Sequence, residues 1–412
     1  MYFVYKILGI IVTFFSPLIL LYRILIGKED FKRFGERYCI YRKQNKEKNL
    51  IWFHAASVGE TMSIIPLLKK FENDKKIKRI ILTTTTKSSA SIFKKLKLKK
   101  TIHKFFPIDS NYFSKKFIKL WRPKLAIFVE SEIWPMMFRN LKQKNIPIIL
   151  VNARITKKSY KKWIMLKGFA QNVFSKISLA MPQNYESKKY LNLLGVKNIN
   201  FKGNLKFFGE KNKIIDLFKI KKKFNGKDIW CAASTHHDEE IIIGKLHKNL
   251  KKKSKKILTV IIPRHINRTN EIIENLNNID LKTQRHSLNN KIKDNTDIYL
   301  VDTFGEAKKF YSLSNITFMG GSLIHHGGQN PLEPARLKNF IIHGPYVNNF
   351  KEVYGYLNKM GITSVVKKTS DIEKLILNKL NKKTSNLITK KIYSLGNTIL
   401  KNNLLEIYKY IK

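Results

Sequence analysis

A repeated succession of short apolar runs, polar or glycine-bearing turns and helix-forming segments constrains the fold of this chain more than any other feature. Apolar runs of this kind cover residues 50–54, 124–129, 257–262 and 315–319. They are too short for helices and rich in β-branched and aromatic residues, so we expect them to be buried strands. Strands that alternate with helices predict an α/β fold with parallel sheets, in which ligands bind at the carboxyl ends of the strands.

The stretch from Gly320 to Pro334 contains the most informative of these turns. Asn330 stands where a helix N-cap is expected, Pro331 at the first helical position and Glu333 at the third. Four glycines precede them and would let the main chain approach a phosphate group, while N–H groups at the start of a helix can receive an anion. The alternative is a well-capped helix in which Glu333 serves only the cap.

Length and composition predict two domains. The 412 residues exceed the usual size of one hydrophobic core, and 43% hydrophobic content is ample for two. A Lys-rich, aperiodic stretch near residues 207–226 is expected to hold the boundary. The expected division is an N-terminal segment of residues 1–27, a first domain of residues 28–207 and a second domain of residues 208–412.

The formal net charge of +51 implies attraction to acidic partners such as nucleic acid, anionic lipid or a phosphorylated substrate. The excess is mostly Lys spread over every segment, which favours a general bias in composition over a localised site. Because no RNA-binding module with interleaved aromatic and basic residues is recognisable, nucleic acid is not expected as a partner. Cys39 and Cys231 match no metal-ligand spacing, and no Asp-x-Asp triplet is present, so no metal is expected.

The N-terminal segment is strongly apolar. Residues 7–22 carry no charge and are flanked by Lys6 and Arg23. This run is shorter than the ~20 residues that a full span prefers, and Pro17 would kink it. A membrane anchor that spans or lies on the bilayer is favoured over a buried helix. The basic residues that follow would keep the rest of the chain on the cytoplasmic side.

Charged residues stand at the ends of three predicted strands. Glu60 falls in the first turn of a helix, where it could act chemically or only complement the helix dipole. Glu130 and Glu132 follow the strand 124–129 and could form an acid/base or positioning pair, or could cap the next helix. Arg264 follows the strand 257–262 and could pair with a phosphate or carboxylate group.

Six motifs occur in one order along the chain and together resemble the bacterial 3-deoxy-D-manno-octulosonic acid (Kdo) transferases. They are His54–Glu60, Glu130–Pro135, Gly203–Lys206, Gly320–Leu323, Gly327–Glu333 and His343–Phe350. The resemblance extends from about residue 34 to 355. It implies a GT-B fold, in which two Rossmann-like domains face an interdomain cleft, the last helix returns to the first domain and an N-terminal helix anchors the protein in the membrane.

The resemblance also implies an inverting transfer of Kdo from CMP-Kdo to the lipid A precursor at the cytoplasmic face of the inner membrane, with anionic lipid as a further partner. Glu60 would be the general base with an ordinary pKa, and Glu130 and Lys206 would support the transition state. No cofactor or metal is implied, because the leaving group is a phosphate monoester. The implied CMP contacts are Pro263, Arg264, Phe304, Gly305, Glu306, Asn330, Pro331, Leu332 and Glu333.

Two alternatives belong to other classes of protein. A sugar-nucleotide epimerase on the same fold would share the alternation of strands and helices, but it should not carry Glu60 and the pair Glu130 and Glu132 in these settings. A basic protein that binds nucleic acid or anionic membranes would show strongly salt-dependent affinity. The adjacent His325 and His326 receive no role from the resemblance.

Overall fold

The computed structural model describes residues 1–41, 49–209, 223–224, 226–288 and 291–411. The chain divides into two compact units: Met1–Phe208 together with Gly396–Lys412, and Gly209–Leu395. Most of the stretch expected to hold the domain boundary, residues 207–226, lies outside the described residues.

The first unit is built on a six-stranded sheet in the order β3-β2-β1-β4-β5-β6, in which all neighbouring strands are parallel. The strands are β1 Leu50–His54, β2 Arg79–Thr84, β3 Thr101–Phe105, β4 Leu125–Val129, β5 Ile148–Ala153 and β6 Leu179–Pro182. The central strands are buried on both faces, because helices cover the two sides of the sheet. The order is that of a Rossmann fold.

The second unit carries a seven-stranded parallel sheet in the order β13-β12-β11-β7-β8-β10-β9. Its strands are β7 Asp228–Thr235, β8 Ile257–Pro263, β9 Thr283–Arg285, β10 Ile298–Leu300, β11 Ile316–Met319, β12 Phe340–His343 and β13 Thr363–Val365. Without the edge strand β9, the remaining six strands repeat the Rossmann order. The α/β class with two parallel sheets is therefore confirmed.

Fifteen α-helices lie within the described ranges. They are α1 Tyr2–Leu25, α2 Val58–Glu72, α3 Lys87–Lys95, α4 Asn111–Trp121, α5 Pro135–Gln143, α6 Lys157–Ile164, α7 Lys167–Phe174, α8 Tyr185–Leu193, α9 Glu239–Lys253, α10 Thr269–Asn277, α11 Ala307–Leu313, α12 Leu332–Arg336, α13 Lys351–Lys359, α14 Thr369–Lys379 and α15 Asn386–Tyr408.

The predicted N-terminal apolar helix is present as α1, which continues through Pro17. It is long and apolar enough to cross a membrane by length and composition. One side of α1 packs on the first unit: the Tyr2 ring lies 5.1 Å from that of Phe169, and the Ser16 hydroxyl is 2.9 Å from the Tyr38 hydroxyl. The opposite side is exposed and apolar. Contacts near both ends thus hold the helix along the surface of its own unit.

Candidate active site

Each sheet has a switch point, where two neighbouring strands lead into connections that run in opposite directions. In the first sheet this point lies between β1 and β4, and in the second between β7 and β11. Loops at the carboxyl ends of such strands diverge and leave a crevice in which α/β proteins bind ligands. The residues that follow β1, β4, β7 and β11 are therefore the candidates for chemistry.

Glu60 lies in the tight turn between β1 and α2. Ser57 is the N-cap of α2, and its hydroxyl oxygen accepts a hydrogen bond from the Glu60 N–H at 3.3 Å. The Glu60 carboxyl group accepts from the Ala56 N–H at 2.7 Å and from the Ser57 hydroxyl at 3.0 Å. Burial, with the negative charges of Glu132 and Glu130, raises the pKa of Glu60 to about 7. The expectation of an ordinary pKa is therefore wrong. A base with a pKa near the working pH is better suited to proton transfer.

Glu130 and Lys206 form an ion pair although 75 residues separate them in the sequence. The Lys206 ammonium lies 2.6 Å from the Glu130 carboxyl group, which also accepts from the Asn152 side chain at 3.3 Å. The Asn152 side-chain oxygen in turn accepts from the Leu205 N–H at 3.0 Å, which fixes the turn that carries Lys206. The structure thus brings these two predicted residues together, and the ion pair and the hydrogen bond fix the position of the Glu130 carboxyl group.

Glu132 is held by two donors. Its carboxyl group lies 3.0 Å from Nε2 of His54 and accepts from the indole N–H of Trp134 at 2.9 Å. The other ring nitrogen of His54, which is fully buried, lies 3.0 Å from the Thr83 hydroxyl. No role for His54 was predicted from the sequence. His54 is the last residue of β1, and the neighbouring strand β4 leads into the acidic motif with Glu130 and Glu132. That position could have identified His54 as a partner of Glu132.

In the second unit, the loop after β11 is occupied by an acidic side chain of the protein itself. The Glu239 carboxyl group accepts hydrogen bonds from the N–H groups of Gly321 at 2.7 Å and of Ser322 and Leu323, both at 3.2 Å. It also accepts from the His236 N–H at 3.1 Å. The prediction that the N–H groups of this glycine-bearing loop receive an external anion is therefore wrong for these three residues.

The glycines of this region permit close packing of strand ends. A Cβ on Gly320 would lie 2.4 Å from the Ser234 carbonyl oxygen, and one on Gly344 would lie 2.1 Å from the Ser322 carbonyl oxygen. Real Cβ atoms do not approach backbone so closely. These two glycines thus serve contacts among β7, β11 and β12. For Gly320, the sequence had predicted close approach of the main chain to a phosphate group.

Helix α12 begins one residue later than predicted. Pro331 occupies the N-cap position and Leu332 is the first helical residue, because the Asn330 side chain accepts from the Leu332 N–H at 3.1 Å and closes the turn ahead of the helix. Glu333 falls in the first turn, is about two-fifths exposed, and pairs with the Lys308 ammonium at 3.3 Å. Since α12 is a single short turn, its dipole is small.

The turn from Phe304 to Glu306 lies just before α11, which carries Lys308. The ion pair between Lys308 and Glu333 therefore brings this turn and α12 next to each other. Phe304 is 76% exposed, and Gly305 has a φ of +91°, a value that favours glycine. An exposed aromatic ring beside a carboxyl group is a suitable surface for a nucleoside.

Arg264 follows the buried Pro263 at the end of β8 and is exposed. Among the described residues, no hydrogen bond or ion pair involves its guanidinium group. The His236 ring lies 4.1 Å from that of His326 and 6.1 Å from that of His265. Burial, together with the neighbouring His326, His265 and Arg264, lowers the pKa of His236 to about 4, and its buried Nε2 has no hydrogen-bond partner in the described part of the chain. The carboxyl end of β8, with the exposed Arg264 guanidinium group, can receive an anion.

Potential metal ligands do not cluster within the described ranges: no group of three or more His, Cys, Asp or Glu there could hold a metal ion. The expectation that the chain needs no cofactor or metal stays a prediction.

Two Rossmann-like domains define the fold class of GT-B glycosyltransferases. The fold is similar to that of a glycosyltransferase from Rickettsia africae, with a TM-score of 0.54 and 17% identity over 89% of this chain and 99% of that one. Residues 32–208 match the family model described as 3-Deoxy-D-manno-octulosonic-acid transferase (kdotransferase).

Relatives with the same description cover most of the chain. The 3-deoxy-D-manno-octulosonic acid transferase of Rickettsia bellii is 38% identical over 79% of this chain and 78% of its own length. That of Haemophilus influenzae is 34% identical over 90% of this chain and 89% of its own. The chain belongs to the 3-deoxy-D-manno-octulosonic acid (Kdo) transferase family. It is a glycosyltransferase, as the sequence motifs indicated.

Proposed function

We propose that this Kdo transferase moves Kdo from CMP-Kdo to a hydroxyl group of the lipid A precursor, with inversion at the anomeric carbon and release of CMP. The bond between the acceptor oxygen and the anomeric carbon forms as the bond between that carbon and the phosphate oxygen breaks. CMP leaves with the electron pair, and the acceptor proton passes to a base. The observation that carries the proposal is the partly buried Glu60, whose pKa of about 7 matches that role.

Glu60 is the general base of this proposal. Its carboxyl group is held by the Ala56 N–H and the Ser57 hydroxyl, so it cannot swing away from the turn. The nearby negative charges of Glu130 and Glu132 make an uncharged, protonated Glu60 easier to form. Both effects favour proton uptake from an attacking hydroxyl group.

Glu130 and Lys206 support the transition state. The departing bond leaves positive charge on the sugar ring, and a carboxylate nearby stabilises that charge. The Lys206 ammonium, 2.6 Å from the Glu130 carboxyl group, holds that group in position and can also offset the carboxylate of the Kdo sugar. A variant that lacks Lys206 removes this ion pair from the buried Glu130 carboxyl group.

The donor contacts are assigned to the second unit. The unpaired guanidinium group of Arg264 suits the phosphate of CMP, since a planar fork of N–H donors matches two phosphate oxygens. The exposed Phe304 ring, with Gly305 and Glu306, suits the nucleoside. Pro263, Asn330, Pro331 and Leu332 complete the proposed surface, and Glu333 would accept from ribose hydroxyl groups. A phosphate monoester needs no metal–diphosphate clamp, which supports a reaction without a metal.

The acceptor is a lipid, so the proposed location is the cytoplasmic face of the inner membrane. The exposed apolar side of α1 supports attachment there, and the excess of Lys favours anionic headgroups. Attachment raises the effective concentration of a membrane-resident acceptor.

Incubation of the purified protein with CMP-Kdo and the lipid A precursor, followed by mass spectrometry of the lipid, tests the proposal. We expect the lipid to gain the mass of one or more Kdo residues and free CMP to appear in equal amount. A lipid that keeps its mass while CMP-Kdo is intact would overturn the choice of substrates.

A further inference from the structure

A groove of about 350 Å³ lies between α1 and the segment that follows β3. The helix contributes Leu8, Gly9 and Val12, and the opposite wall contributes Phe106 and Ile108. Most of the lining is apolar. We call this cavity the α1 groove.

The charged groups that line the α1 groove have partners within the protein. The Arg37 guanidinium group donates to the Glu29 carboxyl group at 3.1 and 3.2 Å, and to two backbone carbonyl oxygens at 3.1 and 2.6 Å. The Asp109 carboxyl group accepts from the Tyr5 hydroxyl at 2.9 Å and from two N–H groups of α5. A polar ligand would compete with these bonds, whereas a hydrocarbon chain leaves them intact.

The α1 groove reaches the turn that carries Glu60. Thr85 lines the groove, and its hydroxyl donates to the Ala56 carbonyl oxygen at 2.9 Å. The Ala56 N–H donates to Glu60. Trp134 also lines the groove and donates its indole N–H to Glu132. Residues that line the groove are therefore linked by hydrogen bonds to the turn that carries Glu60 and to the Glu132 carboxyl group.

The other side of α1 is exposed and apolar. Ile10 is 60% exposed and Phe14 is 77% exposed, as expected for a surface that a lipid bilayer covers. Because α1 packs along its own unit, one side of the helix faces the bilayer in this arrangement while another side forms the groove. An acyl chain that leaves the bilayer beside α1 would meet the groove directly.

We propose that the α1 groove binds one acyl chain of the lipid acceptor and so positions the acceptor hydroxyl group for Glu60. A methylene group is close in volume to a water molecule, whose share of liquid volume is about 30 Å³, so the groove holds roughly a dozen carbons. That is one chain and not several. The proposal rests on the proposed function for the identity of the acceptor, and it adds the site that receives the chain.

Photo-crosslinking of the full-length protein in detergent tests the groove. The probe is a lipid A precursor with a diazirine in one acyl chain, and peptide mass spectrometry locates the crosslink. We expect labelled peptides from both walls of the groove, with labelling suppressed by excess unmodified precursor but not by excess phosphatidylethanolamine. Equal suppression by the phospholipid would show a general lipid site and would overturn the proposal.

Two variants of α1 provide the matched comparison. Val12→Trp fills the groove, and Ile10→Trp adds the same side chain to the exposed side of the helix. Val12→Trp should reduce crosslinking and raise the KM for the lipid acceptor by on the order of tenfold, with little change in kcat. Ile10→Trp should match the wild type in both measurements. Equal behaviour of the two variants would contradict the groove.

The transfer assay on the same preparations separates this inference from the proposed function. Transfer to the lipid without groove crosslinks would overturn the groove and leave the reaction standing. Groove crosslinks without transfer would overturn the proposed substrates and leave an acyl-chain site. Labelling confined to the exposed side of α1 would show that the helix only contacts the surrounding lipid or detergent.

Discussion

Glu60 is the residue on which the proposed reaction depends most. Replacing Glu60 by Gln keeps its size and its bond from Ala56 but removes the basic oxygen. General base catalysis contributes about 10²–10⁴-fold, so turnover should fall by that factor while CMP affinity stays the same. Turnover and CMP binding, measured on one preparation, test this. Glu186→Gln, which changes an exposed carboxylate in the first turn of α8, should leave both unchanged.

Stability distinguishes a base from a simple helix-capping residue. Folding raises the pKa of Glu60 from 4.5 to about 7, so the folded state binds the proton more tightly than the unfolded state. This tighter proton binding stabilises the folded state fully below about pH 4.5, and the stabilisation is lost as the pH rises through 7. Glu60→Gln should therefore melt no lower than wild type at pH 8. A pure capping role predicts a loss of about 0.3–1 kcal/mol with near-normal turnover.

The pH dependence of kcat/KM should report the charge of Glu132. In the wild type, kcat/KM should rise with pH through about 7, as Glu60 loses its proton. After burial, Glu132 is the main cause of the raised pKa of Glu60, so Glu132→Gln should move the rise to lower pH. Glu132→Asp keeps the charge and should leave the rise close to its original position. Identical profiles for the Gln and Asp variants would contradict this electrostatic coupling.

Arg264 is the second residue with a quantitative expectation. Arg264→Ala should weaken CMP binding by about 1.5–3 kcal/mol, the usual loss for a charge-assisted hydrogen bond. Calorimetry at one ionic strength measures it, since salt alone changes anion affinity. Lys256→Ala removes a positive charge at the other end of β8 and should have little effect. A similar loss in both variants would mean that general charge, and not Arg264, attracts the nucleotide.

For single residues, the sequence predicted the place of a residue within a helix or strand better than the charges and hydrogen bonds that surround its side chain. Glu60 was correctly placed in the first turn of a helix, because the strand 50–54 and the turn after it are marked by local residues. The raised pKa of Glu60 depends on Glu130 and Glu132, which lie some seventy residues away and meet it through the pairing of β1 with β4. Likewise, nothing local to Glu239 indicates that it accepts hydrogen bonds from the loop after β11.

At the scale of elements, a substitution at Gly396 tests how closely α15 packs against Phe207. A Cβ at this position would lie 2.3 Å from the Phe207 carbonyl oxygen, which backbone bonds hold in place. Gly396→Ala should destabilise the protein by about 1–3 kcal/mol through overpacking. Gly355→Ala in α13 meets nothing within 4 Å and should be neutral or stabilise by about 0.5–1 kcal/mol. Thermal melting of the two variants compares the same substitution in two helices, and equal melting temperatures would contradict the close contact.

The sequence predicted the elements whose signals are strong. The strand Leu50–His54 has the predicted bounds, because an apolar run and turn residues mark both of its ends. The other three predicted strands differ from the observed ones by one residue at one end: Leu125–Val129, Ile257–Pro263 and Ile316–Met319. The sequence missed β9, Thr283–Arg285, a three-residue strand at the sheet edge with no buried residue. Such a strand exists through pairing with β10 and has no apolar pattern of its own.

At the scale of the whole molecule, the alternation of strands and helices was enough to predict two parallel sheets, but it did not fix the strand order. Both sheets share the Rossmann order once β9 is left aside. That order brings β1 beside β4 and β7 beside β11, and so determines which turns of each unit lie together. Family motifs identified the same turns from the sequence because functional residues of α/β domains concentrate there.

The proposed membrane attachment belongs to the whole molecule, since both α1 and the net charge of +51 would contribute to it. Ile10→Glu combined with Phe14→Glu places two carboxylates on the exposed side of α1 and leaves the packed side intact. Each lost apolar side chain removes about 1.5–3 kcal/mol of the free energy gained by burying it in the bilayer. Partitioning into the membrane should therefore fall at least about a hundredfold. Fractionation after a high-salt wash measures it, because salt removes binding through the basic surface. Leu387→Glu with Leu405→Glu makes the same charge change at exposed positions of α15 and should remain bound. A double variant of α1 that stays with the membrane after the wash would show that another surface holds the enzyme there.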